Sequence, residues 1–111
     1  MWSGLTQDHK SIPPKYFYDQ RGSELFEAIT RTPEYYPTRE ELAILTDNAA
    51  AIAGYIPAGS AMIEFGSGST TKARILLQAA QVAAYVPVDI SGAFLTSEVQ
   101  RLETDLPGLK V

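Results

Sequence analysis

Cysteine is absent from the 111-residue chain. That excludes a disulfide framework, a thiolate metal site and a cysteine nucleophile. Histidine occurs once, as His9, which excludes most histidine-based catalysis and multi-histidine metal sites; we read it as a solvated surface residue and expect no metal. Basic residues are few: Lys and Arg total 9 against 13 Asp and Glu, a net charge of −4. A nucleic-acid module needs a net positive face to release counterions from phosphates, so no nucleic-acid partner is expected. There is no long hydrophobic run. The longest weakly apolar stretch, 49–63, is rich in Ala and broken by Gly54, Pro57 and Gly59, well short of the ~20 apolar residues of a membrane helix. The first residues lack the basic and apolar blocks of a secretory signal. A cytoplasmic protein without a membrane partner is therefore expected. No fixed-period repeat or low-complexity tract is present. What is there, 45% hydrophobic and 20% charged residues, matches a soluble domain, and the length suits one domain and not two.

Along the chain, residues 1–21 read as irregular, with Pro13-Pro14 followed by the aromatic cluster Tyr16-Phe17-Tyr18. Paired prolines hold the backbone extended and remove two donors. A short helix is predicted from Ser23 as N-cap, burying Leu25, Phe26 and Ile29 and stopping before Pro33. After the aromatic loop Glu34-Tyr35-Tyr36-Pro37, Thr38 and Glu41 form the T-x-x-E pattern of a capping box. The helix they open carries Leu42, Leu45, Ala49, Ile52 and Ile56 at steps of three and four, one apolar face. From Pro57 the pattern changes. Ala61-Met62-Ile63-Glu64-Phe65 reads as a buried parallel strand, 66–71 as a glycine loop, and Ala73 to Val82 as a helix with Leu76, Leu77 and Ala80 inward. Ala84 to Val88 reads as a second strand, weakened as a central strand by Pro87. A helix from Ser91 or Gly92 to Asp105 follows, with Leu95, Val99, Leu102 and Leu106 on one face. Leu109-Lys110-Val111 reads as the start of a third strand.

The chemistry concentrates in Ile63-Glu64-Phe65-Gly66-Ser67-Gly68-Ser69-Thr70-Thr71-Lys72. A loop of small residues between strand and helix lets a ligand approach the backbone, and the helix N-terminus adds free amides. A P-loop would need G-x-x-x-x-G-K-[ST], which fails here because Ala73 follows Lys72. A dinucleotide loop wants G-x-G-x-x-G, and Thr71 stands at the third glycine. S-adenosylmethionine sites commonly carry an acid just ahead of the first glycine, the place of Glu64. Asp89 closes the second strand 21 residues after Gly68, where a carboxylate can accept both ribose hydroxyls of NAD or of S-adenosylmethionine. Glu64 favours the methyl donor: an acid repels pyrophosphate and attracts the donor's sulfonium and ammonium groups. Plainer roles stand beside these. The two glycines could form only a turn, Asp89 only a helix cap, Glu64 only a salt bridge. Lys72 could simply face solvent, and Tyr85 pack within its strand.

The segments Ile12-Pro13-Pro14-Lys15-Tyr16-Phe17-Tyr18-Asp19, Gly22-Ser23-Glu24-Leu25-Phe26 and Ile29-Thr30-Arg31-Thr32-Pro33-Glu34-Tyr35-Tyr36-Pro37-Thr38-Arg39 together are more specific than any glycine loop. With Glu64-Phe65-Gly66-Ser67-Gly68, Lys72 and Val86-Pro87-Val88-Asp89, the chain resembles the histidine-specific, S-adenosylmethionine-dependent N-alpha-methyltransferases over about residues 11–111. These enzymes convert histidine to its trimethylated betaine in ergothioneine biosynthesis. The resemblance implies an α/β, Rossmann-like class I methyltransferase fold, of which only the first strands are present, preceded by an N-terminal helical segment. Residues 1–57 would form that substrate-side segment and 58–111 the first part of the donor-binding domain. It implies donor contacts at Gly66, Lys72 and Asp89, to which the loop reading adds Glu64 and Gly68. It also implies that Tyr35 and Tyr18 hold the amino-acid substrate. No catalytic base stands out. Members of the family are much longer, so an N-terminal fragment is expected, marginally stable, self-associating through an unpaired sheet edge and without turnover by itself. The alternatives are a non-catalytic nucleotide- or NAD-binding module and a methyltransferase for another amino acid.

Overall fold

The computed structural model describes residues 2–111. Two parts differ sharply in packing. The first holds three helices without a buried residue, α1 (Trp2–Leu5), α2 (Gln20–Ile29) and α3 (Pro37–Ala53), with a 3₁₀ turn at Pro14–Phe17 between the first two. The second is a β-α-β-α run: β1 (Ala61–Phe65), α4 (Thr71–Ala79), β2 (Ala84–Val88) and α5 (Gly92–Asp105). The radius of gyration is 16.9 Å, against about 13 Å for a compact chain of this length. The chain is therefore elongated, 54 × 28 × 23 Å.

β1 and β2 pair in parallel, Ala61 opposite Ala84 through Phe65 opposite Val88. A further parallel bridge joins Ala84 to Lys110, and the Tyr85 amide donates to the Lys110 carbonyl at 2.8 Å. The third strand predicted at Leu109–Val111 thus begins on the far side of β2. Pro87 is tolerated inside β2 because Tyr85 and Pro87, two apart, present their nitrogens to the same side. That side faces away from β1, so the missing donor leaves the β1–β2 ladder intact.

Both α4 and α5 cover one face of the sheet. The core there is Ala73, Leu77, Tyr85 and Leu102, with Met62, Val82, Leu106 and Leu109 packed around it. The other face is open, and Ile63, Phe65, Val86 and Val88 stand exposed on it. Burial on both faces, expected for β1, is therefore corrected: Ala61, Ile63 and Phe65 face outward, and Glu64 shares the covered face with Met62. On α5 the buried ridge is Phe94, Glu98 and Leu102; Leu95 and Val99, expected inside, flank it half-buried.

Three local predictions also change. α2 starts at Gln20, not at Ser23. Asp19 is its N-cap, the carboxylate accepting the Gly22 amide at 2.7 Å. Asp19 is delivered by the 3₁₀ turn, whose backbone passes so close to Gly22 that an added Cβ would lie 1.7 Å from the Phe17 carbonyl oxygen. Leu25, Phe26 and Ile29 are about half-exposed, because α2 is covered mainly by the 3₁₀ turn and α5. α3 opens at Pro37, whose fixed φ suits the first helical position, so Thr38 and Glu41 make no capping box. Its predicted face of Leu42, Leu45, Ala49, Ile52 and Ile56 is the half-buried one, laid against α4. α4 runs from Thr71 to Ala79 instead of 73–82. Its end is set when residues 80–83 join residues 59–60, with the Gly59 amide donating to the Gln81 carbonyl at 2.7 Å and the Ala83 amide to the Ser60 carbonyl at 2.8 Å. Among the described residues no helix is long and apolar enough to cross a membrane.

Candidate functional site

The loop between β1 and α4 turns through two left-handed glycines, Gly66 at φ +69° and Gly68 at φ +51°. Neither has an atom within 4 Å of an ideal Cβ position, so the backbone there faces open space. The loop is tied inward by its amides. The Gly66 amide donates to the Val88 carbonyl at 2.7 Å, that of Ser67 also reaches the Val88 carbonyl, at 3.3 Å, and the Gly68 amide donates to Asp89 Oδ2 at 2.9 Å. The other Asp89 oxygen, Oδ1, accepts the Ser91 amide at 2.8 Å. One carboxylate thus joins the end of β2, the glycine loop and the start of α5. The plainer reading of Asp89 as a helix-end brace and the ligand-binding reading are compatible, since each oxygen keeps a lone pair.

Glu64, half-buried, accepts a hydrogen bond from the fully buried Tyr85 hydroxyl at 2.5 Å. Burial raises the Tyr85 pKa well above its ordinary value, and the hydrogen bond to Glu64 and that group's negative charge push it the same way. Tyr85 stays a neutral donor that aims the carboxylate. Strand packing alone is the sequence expectation for Tyr85; its bond to Glu64 joins residues 21 apart on adjacent strands, a pairing no local signal marks.

Lys72, on the first turn of α4, turns toward α3, its Nζ 3.2 Å from both carboxylate oxygens of Glu41. Glu41, Glu64 and Lys72 line one cleft of about 310 Å³ with Leu45, Met62 and Leu76. Glu41 went unrecognised as a site residue because its spacing from Thr38 matched a capping motif.

Tyr35 sits on the aromatic loop, its ring edge-on to Phe26 of α2 with centroids 5.9 Å apart. The loop is held by Arg39, whose guanidinium donates to the carbonyls of Thr32 at 2.8 Å, Pro33 at 2.7 Å and Tyr35 at 3.2 Å. Tyr18 ends the 3₁₀ turn and is more than half-exposed. Among the described residues, neither tyrosine has a hydrogen bond or ring contact to the glycine loop. Their segment reaches it through Ser23 of α2, whose hydroxyl is 3.1 Å from that of buried Ser91, the residue bound to Asp89. The structure therefore gathers Glu64, Gly66, Gly68 and Asp89 at the strand ends and Lys72 beside them, while Tyr35 and Tyr18 stand on a separate element.

The sequence of the whole chain matches one protein family, described as histidine-specific, SAM-dependent methyltransferase, over residues 1–111. The chain belongs to that family. It is 40% identical over 115 residues to a histidine N-alpha-methyltransferase of Mycobacterium tuberculosis and 42% identical over 113 residues to one of Mycolicibacterium smegmatis. These alignments take in 100% and 98% of this chain but 36% and 35% of the two relatives. The ergothioneine biosynthesis protein 1 of Neurospora crassa is 37% identical over 105 residues, 91% of this chain and 12% of that protein. The chain thus spans about a third of the length of the mycobacterial histidine methyltransferases.

The loop can be tested against the family's cofactor, S-adenosylmethionine. Open space above two positive-φ glycines admits a ligand against the backbone, and the flanking carboxylates Glu64 and Asp89 suit a cationic group. Ser67 Oγ is buried in the same loop with no hydrogen-bond partner among the described residues. The residues present fit the group.

Proposed function

We propose that this chain forms the donor-binding part of an S-adenosylmethionine-dependent methyltransferase acting on the α-amino group of histidine. The observation that carries the reading is the pair of carboxylates, Glu64 and Asp89, at the ends of adjacent parallel strands on either side of an open glycine loop. Strands in the spatial order β1, β2, then the Lys110 segment, with a ligand loop at their carboxyl ends, fit one half of a Rossmann-like doubly wound sheet. Residues 58–111 would be its first part, and 1–57 a helical segment on the substrate side.

In this reading Gly66 and Gly68 offer backbone to the ligand, and Asp89 accepts ribose hydroxyls with its remaining lone pairs. Glu64 faces the donor's positive charge, and Lys72 moves from Glu41 to contact the ligand. Tyr35 and Tyr18 hold the amino acid. S-adenosylmethionine, when bound, supplies a methyl group on a positively charged sulfur that is its own leaving group. The protein is left to bind, align and exclude water, and alignment alone is worth roughly 7–11 kcal/mol in favourable cases. The substrate amine must arrive unprotonated, because an ammonium has no lone pair to attack with.

Calorimetry on the full-length polypeptide, titrated with S-adenosylhomocysteine and separately with NAD, tests the reading. Binding of the first without the second is expected; the reverse pattern, or neither, would sink it. A second expectation concerns Arg39. Replacing it by Ala frees three loop carbonyls, so the Tyr35 ring loses its fixed position, and a misplacement near 1 Å can cost about 10²-fold in rate. R39A should lower kcat/KM for histidine by about that factor and leave the affinity for S-adenosylhomocysteine unchanged. An equal loss in both would show that Arg39 serves general folding instead.

A further inference from the structure

The third inward anchor of the glycine loop comes from outside the loop and both strands. Thr70 is fully buried and is the N-cap residue of α4, yet its own side chain caps nothing. Its amide donates instead to Glu98 Oε2 on α5 at 3.2 Å, and its hydroxyl lies 3.4 Å from the same oxygen. Glu98 is itself buried, 6% exposed, and its other oxygen accepts from the Arg101 guanidinium at 2.7 Å. A carboxylate is costly to bury unless paired and hydrogen-bonded; here both oxygens are used. The carboxylate also lies at the positive end of α4.

We propose that Glu98 is the positioning residue of the donor loop, holding Thr70 so that the turn from Gly66 to Thr70 is formed before the ligand arrives. The inference rests on the donor-binding reading above. The amides of residues 66 and 67 are drawn inward to the Val88 carbonyl, that of 68 to Asp89 and that of 70 to Glu98. Val88 contributes backbone, Asp89 is assigned to the ligand, and Glu98 has no role at the ligand. Without it, part of the free population leaves the binding-competent loop shape, and the apparent dissociation constant rises by the inverse of the competent fraction. Glu98 escapes sequence inspection because it lies 28 residues from Thr70 on a helix whose face was chosen by its leucines and valine.

The test uses the full-length polypeptide, with S-adenosylhomocysteine affinity by calorimetry and KM for histidine by steady-state kinetics. E98A is expected to weaken S-adenosylhomocysteine binding about tenfold or more with KM for histidine unchanged. E98Q keeps an oxygen that accepts the Thr70 amide and should restore most of the affinity. A purely structural role would lower the melting temperature and leave the affinity of the folded molecules alone. Folded E98A with unchanged affinity, or folded E98Q as weak as E98A, overturns the proposal. Should E98A fail to fold, residue-resolved hydrogen exchange on the free wild type decides: the Thr70 amide should be protected and that of Ser69 not, and equal exchange at the two overturns it. Loss of binding in the wild type itself would overturn the donor reading, whereas wild-type binding matched by E98A overturns only the role of Glu98.

Discussion

Replacing Gly66 by valine is expected to abolish binding of S-adenosylhomocysteine while the helices remain folded. Gly66 holds φ at +69°, a conformation that costs a non-glycine residue about 1–2 kcal/mol and a β-branched one more. No protein atom lies within 4 Å of the position its Cβ would take, so no clash inside the protein adds to that cost. The added side chain instead fills the space a ligand needs to reach the backbone. Both effects act on binding: the loop shifts to relieve φ, and the approach is blocked. A loss of affinity of at least about a hundredfold, near 2.8 kcal/mol, is expected. Gly59 provides the control, because it also holds a positive φ, +76°, with open space beside it. It lies in the turn before β1, away from the loop. G59A should lower the melting temperature and keep the affinity. Unchanged binding in G66V, or an equal loss in G59A, would contradict the site assignment.

Tyr85 is expected to carry the largest single share of stability. Its side chain is fully buried between β2 and both covering helices, and the core has few other members. Truncating a buried aromatic to alanine costs about 3–5 kcal/mol, a large part of the about 5–15 kcal/mol that holds a domain folded. Y85A should therefore be largely unfolded under mild conditions. Y85F keeps the packing and removes only the donor to Glu64, so a cost near 1 kcal/mol is expected, since half-exposed Glu64 regains water. Circular dichroism through urea titrations separates the two; equal losses would place the energy in the hydrogen bond and not in the packing.

The same residue sets an alkaline limit. Its folded pKa lies well above the ordinary 10.0. Below pH 10 the folded and unfolded states both keep the proton, and the stabilisation is fully present. Above it the unfolded chain loses the proton first, so stability falls as pH rises. Y85F should lack that component, and a wild-type melting temperature that falls no faster than that of Y85F above pH 10 would contradict the assignment.

Regular segments were legible wherever one strong local preference acted alone. β1 and β2 begin and end where their apolar runs do, and the half-buried face of α3 is the one its spacing predicts. Helix starts were not, because two neighbours can each serve as a cap. Asp19 prevails over Ser23 once the 3₁₀ turn fixes the approach, and Pro37 prevails over Thr38 through its fixed φ. Ser23 and Glu41 are then released to bond Ser91 and Lys72 instead.

The glycine loop, its two acids and the aromatic segment were readable because each lies within a few residues of the feature that marks it. What holds them was not. Glu98 on Thr70, Tyr85 on Glu64, Ser23 on Ser91 and Glu41 on Lys72 join residues 21 to 68 positions apart. So the amino-acid sequence alone determined the strands, the turn that only glycine can make and the family to which the chain belongs. Tertiary structure alone decided which partners the carboxylates of Glu41, Glu64, Asp89 and Glu98 take, because a charged side chain has no local preference strong enough to choose its partner. That choice is made by burial, when the helices close over one face of the sheet and a polar group beneath them is costly without a hydrogen bond.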